Sequence, residues 1–250
     1  RNTASFDISS VVRPGENSVA LEVYRNSDGS FLEAQDMFRL PGIIRSTYLT
    51  ARPRVQISDL ALRTTELGSS ATISIDREVR NLTDKALKGM TLTYTIYPVE
   101  LYTDQTGDSV RCFTVNLMPV QKRQTALAQT IVSVKEPNLW SAEAPWRYVL
   151  VAELKDKKGN LLDCTSTYFG FRMVEIRDTQ AGDDEFGLAG RYFYVNGQPV
   201  KLKGVNRHET NPTTGHAISR EQMTKEVMLM KRGNINHVRL SHYSNDPYFY

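Results

Sequence analysis

The chain has 250 residues, room for two or three domain cores, and its 40% hydrophobic and 24% charged residues are ordinary for a globular protein. A net charge of +3, spread without a basic block, argues against nucleic acid or an anionic membrane as partner. No run approaches the ~18 apolar residues of a membrane-spanning helix.

The chain opens on Arg1-Asn2-Thr3, with neither Met nor signal peptide. Its true N-terminus is therefore expected upstream, and the compartment, cytoplasmic or periplasmic, stays open. The first 51 residues read as the closing edge of a β domain. Strands are predicted over 17–24 and 42–50, on either side of a Ser27-Asp28-Gly29-Ser30 turn. Two or three strands cannot bury a core alone, so this piece belongs to a larger sheet. Ala51-Arg52-Pro53-Arg54 then crosses into the next domain.

From 52 to 175 the period is two, as in Thr72-Ile73-Ser74-Ile75-Asp76 and Thr91-Leu92-Thr93-Tyr94-Thr95-Ile96. Such alternation lays one face on a core and the other in water. Turn signals at Asn81-Leu82-Thr83-Asp84, Thr106-Gly107-Asp108 and Lys157-Lys158-Gly159-Asn160 punctuate roughly seven strand candidates without a helix, which predicts an immunoglobulin-like sandwich. Cys112 and Cys164 fall in these strands and are expected as buried free thiols, too few for a disulfide scaffold. The sequon Asn81-Leu82-Thr83 is a single chance match.

Beyond 176 the pattern changes. Tyr192-Phe193-Tyr194-Val195, an Asn196-Gly197 turn and Pro199-Val200-Lys201-Leu202-Lys203 predict a hairpin, because Asn-Gly supplies the positive φ angles of a type I′ turn. A long loop over 206–218 leads to Ser219, which with Gln222 makes a capping box. Met223, Val227 and Met230 share one helical face, and Gly233 is placed as a left-handed C-cap. A second buried strand over 235–240 completes a strand–helix–strand unit with a parallel pair.

Parallel strands open their C-terminal ends on one side, where α/β barrels bind ligands. Asn206-Arg207-His208-Glu209 follows the first strand and Arg239-Leu240-Ser241-His242 closes the second, so both histidines are expected on one rim. Packing alone does not call for two Arg and two His there, and a loop of this length is more often functional than idle. Rival chemistries fit poorly. No further His or Cys joins His208 and His242 at zinc spacing. Gly187-Leu188-Ala189-Gly190 matches no phosphate loop. Neighbours on a strand point to opposite faces, so Ser241 and His242 make no triad.

With those residues in view, Arg239-Leu240-Ser241-His242-Tyr243 followed by Asn245, Pro247 and Tyr248 resembles the sugar-hydrolase signature of glycoside hydrolase family 2. Lys203-Gly204-Val205-Asn206-Arg207-His208-Glu209 resembles the first-strand motif of that family's catalytic barrel. Pro137-Asn138-Leu139-Trp140-Ser141-Ala142-Glu143-Ala144-Pro145 with Tyr148, then Phe169-Gly170-Phe171-Arg172, resembles its central sandwich. Ser27-Asp28-Gly29-Ser30-Phe31-Leu32-Glu33, Gln35-Asp36-Met37-Phe38-Arg39 and Gly42-Ile43 resemble the end of its N-terminal jelly roll. Ser244 departs from the signature, which usually has Pro there. Within the family, the Asp36 string and Asn206-Arg207-His208-Glu209-Thr210-Asn211-Pro212 look most like the β-galactosidases.

The resemblance implies a mainly β chain in three parts: the end of a jelly-roll domain (1–51), an immunoglobulin-like sandwich (52–175) and the first βαβ unit of a (β/α)8 barrel (176–250). It implies part of a retaining β-galactosidase that hydrolyses terminal β-D-galactosyl residues. Asp36 would bind sodium and a galactosyl hydroxyl, His208 and His242 would hydrogen-bond the ring, and Arg239 would line the pocket. Asn206 and Glu209 are further candidates, while Trp140 and Trp146 are expected in the sandwich core. The family's two catalytic carboxylates and its magnesium ligands lie on later barrel strands. The resemblance therefore implies no catalytic residue here, a fragment inactive alone, Mg2+ and Na+ in the full-length enzyme, and a homo-oligomer acting on a galactoside. A β-glucuronidase-like enzyme and a non-catalytic glycan-binding sandwich are the alternatives.

Overall fold

The computed structural model describes residues 4–32, 36–183, 187 and 189–250; Glu33, Gln35 and Leu188 of the motifs above, and Arg1-Asn2-Thr3, lie outside them. It divides into two compact units, residues 50–201 and residues 1–49 with 202–250.

The first unit is built on seven strands, β1 (Val55–Leu67), β2 (Ser70–Asn81), β3 (Thr91–Val99), β4 (Arg111–Asn116), β5 (Gln124–Lys135), β6 (Arg147–Lys155) and β7 (Leu161–Phe169). They form an antiparallel sheet β1-β2-β5 and a second of order β4-β3-β6-β7. The period-two pattern explains the sandwich directly. Leu92, Tyr94 and Ile96 of β3 pair with Leu154, Ala152 and Leu150 of β6, and all six are fully buried. Ile73 and Ile75 of β2 are likewise buried in the same core. Thr93 and Thr95, between them, fall on the other side of the sheet.

Two connections are held by polar groups. The Asn138 N–H donates to the Tyr148 hydroxyl at 2.9 Å. Asn81, with no exposed surface, donates from Nδ2 to the carbonyls of Lys85, Val120 and Gln121 at 2.8, 3.3 and 3.1 Å. The sequon asparagine is thus a buried tie between loops. Cys112 and Cys164 are free as expected, but exposed rather than buried. The cause is register: they pair with Thr95 and Glu153, on the water-facing side of their sheet.

The Phe169-Gly170-Phe171-Arg172 motif packs on Trp140. A Cβ on Gly170 would lie 2.8 Å from Trp140 Cβ, so only glycine fits, and the Arg172 guanidinium stacks 4.3 Å from the indole. Beyond it, β8 (Val174–Thr179), β9 (Gly190–Val195) and β10 (Gln198–Val200) make an antiparallel meander. Asn196 and Gly197 have φ of 51° and 78°, the two positive angles a type I′ turn requires. Asn196 Nδ2 also donates to the Trp140 carbonyl at 2.9 Å, which ties the hairpin to the sandwich. That bond is one reason residues 176–201 group with the sandwich.

The second unit begins with an irregular stretch. The strands expected over 17–24 and 42–50 do not form; the only regular element before residue 50, among the described residues, is the single turn α1 (Gly29–Leu32). Val19, Leu21 and Val23 alternate as expected, yet are 76%, 57% and 51% exposed. Alternation supplies an apolar edge but not a partner, and a strand exists only by pairing. The jelly-roll expectation thus finds no strand among the described residues of 1–51.

The strand–helix–strand unit does form, as β11 (Gly204–Arg207), α2 (Arg220–Arg232) and β12 (His237–Leu240). β11 is a separate strand, not the second arm of the hairpin, which ends at Val200. β11 and β12 are parallel, with Asn206 opposite Arg239 and Arg207 opposite Leu240. Ser219 caps α2 by accepting the Gln222 N–H at 3.2 Å. The Gln222 side chain does not return the bond; it goes to Asn211 and Glu226. Met223 is buried, whereas Val227 is 37% exposed.

Gly233 is not the left-handed residue: its φ is −78°, and Asn234 at 55° takes that role. The bonds Asn234 N–H to Lys231 C=O and Ile235 N–H to Met230 C=O, both 3.0 Å, make a Schellman ending one residue later than expected.

Candidate functional site

β11 and β12 run the same way, so the residues at their C-terminal ends meet on one rim. The His208 and His242 rings lie edge to face with centroids 5.7 Å apart. The Phe38 ring stands edge-on to His208 at the same centroid distance. Asp36 reaches His242 from the N-terminal stretch, Oδ2 lying 3.7 Å from Nε2, with its side chain 89% exposed.

Arg239 donates to His242 Nδ1 at 3.2 Å and approaches Ser241 Oγ at 3.4 Å and Asn206 Oδ1 at 3.5 Å. A guanidinium has donors only, so Nδ1 of His242 must accept and its proton sits on Nε2. His242 therefore points an N–H toward the Asp36 side of the rim. His208 Nδ1 is buried and has no hydrogen-bond partner among the described residues.

Four of the expected site residues, Asp36, His208, Arg239 and His242, thus converge, and Asn206 joins them through Arg239. Glu209 does not. It is fully buried: one carboxylate oxygen pairs with Arg45 and the other accepts the Asp246 N–H at 2.8 Å. Arg207, counted in the sequence as part of the same cluster, also turns away. It is 5% exposed, bonds Glu226 at 2.7 Å and Asn245, and stacks 4.1 Å from the Phe249 ring. Alternation explains it, since Arg207 sits between Asn206 and His208 and must face the helix side.

Sequence reasoning missed two residues, Arg45 and His216. Arg45 lies 164 residues from its partner Glu209, and no local spacing reveals that pair. The long loop brings His216 back through a tight turn. Asn211 and Gly215 exchange backbone bonds of 2.7 and 3.0 Å, Asn211 Oδ1 accepts the Thr213 N–H at 2.8 Å, and Gly215 has φ of 65°. His216, 4% exposed, then sets its two ring nitrogens 2.8 and 2.9 Å from the carbonyl oxygens of Glu209 and Phe38, and donates to at least one of them. The loop is structural as well as a border of the rim.

Among the described residues, no three His, Cys, Asp or Glu side chains converge as a metal site. Asp36 offers one carboxylate, an edge of a cation's shell and not a donor set for sodium or magnesium.

Three descriptions of one family match the chain in order. "Glycosyl hydrolases family 2, sugar binding domain" matches residues 1–53, "Glycosyl hydrolases family 2" matches 55–172, and "Glycosyl hydrolases family 2, TIM barrel domain" matches 186–250. A β-galactosidase of Priestia megaterium is 36% identical over 99% of the chain, and one of Pectobacterium atrosepticum 35% identical over all of it. The chain spans only 22% and 23% of those relatives. A solved Bacteroides uniformis β-glucuronidase is similar over 86% of this chain and 24% of its own, with a TM-score of 0.71 and 28% identity. By sandwich, βαβ unit and sequence together, the chain belongs to glycosyl hydrolase family 2.

Proposed function

We infer that this chain is the sugar-recognising part of a retaining β-galactosidase, in which Asp36, His208, Arg239 and His242 grip the galactosyl ring. The observation that carries this reading is the pairing of the two imidazoles with the Asp36 carboxylate on one strand-end rim. Hydroxyls need both donors and acceptors at fixed places. His242 presents an N–H, Asp36 an acceptor, and His208 a nitrogen without a partner among the described residues.

Retaining hydrolysis takes two carboxyl groups about 5 Å apart, one to protonate the leaving oxygen and one to attack the anomeric carbon. Glu209 is committed to Arg45, so Asp36 has no partner carboxylate on the rim among the described residues. In this reading the chain binds and orients, and the cleaving carboxylates belong to the rest of the barrel. The histidines contribute by bonding the transition state better than the ground state.

The β-glucuronidase likeness favours a second reading. The galactoside reading is supported by the β-galactosidase relatives of 36% and 35% identity, which match over essentially the whole chain. The full-length gene product should hydrolyse nitrophenyl β-galactoside at least tenfold faster than nitrophenyl β-glucuronide, a gap of about 1.4 kcal/mol. Equal rates, or a glucuronide preference, would transfer the assignment to the second reading.

A further inference from the structure

Asp36 sits on a stretch with no secondary structure of its own: residues 36–49 contain neither helix nor strand. A carboxylate on such a stretch keeps its place only through whatever holds the backbone beside it. Two side chains do so, and neither lies on the rim.

The first is His216. One ring nitrogen lies 2.9 Å from the Phe38 carbonyl oxygen, two residues from Asp36, and the other 2.8 Å from the Glu209 carbonyl oxygen, next to His208, so the ring bridges the two segments and donates to at least one of them. The Tyr243 hydroxyl adds a contact of 3.2 Å to Nδ1. The ring is buried, so these bonds face little competition from water.

The second is Arg45. Its guanidinium pairs with the buried Glu209 carboxylate, donates to the Ser244 carbonyl at 3.2 Å, and stands 3.9 Å from the Asp246 carboxylate. Glu209 in turn accepts the Asp246 N–H. One side chain thereby joins the Asp36 stretch to the loop after β11 and the loop after β12. Those loops carry His208 and His242. The fork of donors on arginine suits this three-way junction better than a single ammonium does.

We propose that Arg45 and His216 are positioning residues for the Asp36 carboxylate, clamping residues 36–45 onto the two loops so that Asp36 stays within reach of His242. This rests on the reading of Asp36 as a sugar-binding group. Neither residue touches substrate; each acts through the backbone it holds.

The test is a double-mutant cycle in the full-length gene product, with kcat and KM measured on nitrophenyl β-galactoside. Arg45→Ala is expected to raise KM about tenfold, within the range that a misplacement of about 1 Å produces, and Arg45→Lys to recover part of it. In an Asp36→Ala background, Arg45→Ala should add nothing to KM, because the group it positions is gone. A purely structural role predicts the same multiplication of KM in both backgrounds, and that result overturns the proposal.

Arg45→Ala also strands a buried carboxylate, so His216→Gln, which leaves the Arg45–Glu209 pair in place, is run through the same cycle. If the arginine variant yields no folded protein, the histidine cycle decides. Should Asp36→Ala alone leave KM unchanged, the sugar-binding reading of Asp36 is what fails. Should Asp36→Ala raise KM while both clamp variants leave it unchanged, only the clamp fails.

Discussion

Replacing His242 by alanine in the full-length gene product should lower turnover on a β-galactoside about 10²–10³-fold, some 2.7–4 kcal/mol of barrel-rim stabilisation, while the protein stays folded. The magnitude is that of a lost donor aimed at charge developing in a transition state. The tautomer argument supplies the donor: Arg239 fills the acceptor at Nδ1, which leaves Nε2–H facing the rim. The fold should survive because His242 keeps 21% of its side chain exposed and does not belong to the core cluster. Arg239 retains Asn206 and Ser241 as neighbours after the change. Steady-state kinetics with circular dichroism on the same sample separate the two effects. Turnover within threefold of the parent would remove His242 from the site.

Phe171→Ala is expected to have the largest effect on stability, about 3–5 kcal/mol from the sandwich. Phe171 is fully buried, with Tyr148 at 4.8 Å and Phe169 at 5.1 Å between ring centroids, both edge to face. Its carbonyl also accepts the Trp140 N–H at 3.0 Å, a backbone bond that the substitution leaves in place. The loss is therefore one of packing: a ring-sized cavity, two aromatic contacts gone, and little room to collapse between sheets paired on both sides. In calorimetry the sandwich transition should fall by roughly 10–20 °C. A drop of only a few degrees would mean that the cavity closes, and that Phe171 is less central than its burial implies.

The sandwich was legible in the sequence because a half-buried strand writes its two faces directly into alternating residues. The Leu92, Tyr94, Ile96 row could be identified before any partner was known, and its facing row in β6 follows the same rule. The same rule misled at residues 17–24, where Val19, Leu21 and Val23 alternate but no strand lies beside them. Periodicity reports which side would be apolar, not whether a neighbour exists.

On the rim, His208 and His242 were legible because strand ends and motif coincide. Arg207 and Glu209 turn from the rim to buried partners, because a cluster of residue types does not say which face each one occupies. Arg45 and His216 were beyond it altogether, since a turn at Asn211–Gly215 and a pairing across most of the chain set their positions. Gly233 and Asn234 could each have ended the helix. The backbone bonds that chose Asn234 depend on how the chain enters β12.

The two cysteines lie on β4 and β7, the opposite edges of the four-stranded sheet, with β3 and β6 between them. Three strand spacings set their backbones roughly 14 Å apart, twice the ~7 Å that a disulfide tolerates. Reductant should leave the melting temperature of the sandwich untouched, and each thiol becomes an attachment point for a label. Partial burial, then the carboxylates of Glu153 and Asp163, push the Cys164 thiol up and slow its alkylation by maleimide. A pair of spin labels on these edges would form a ruler across the sheet, close enough for dipolar coupling to register any splaying of its strands.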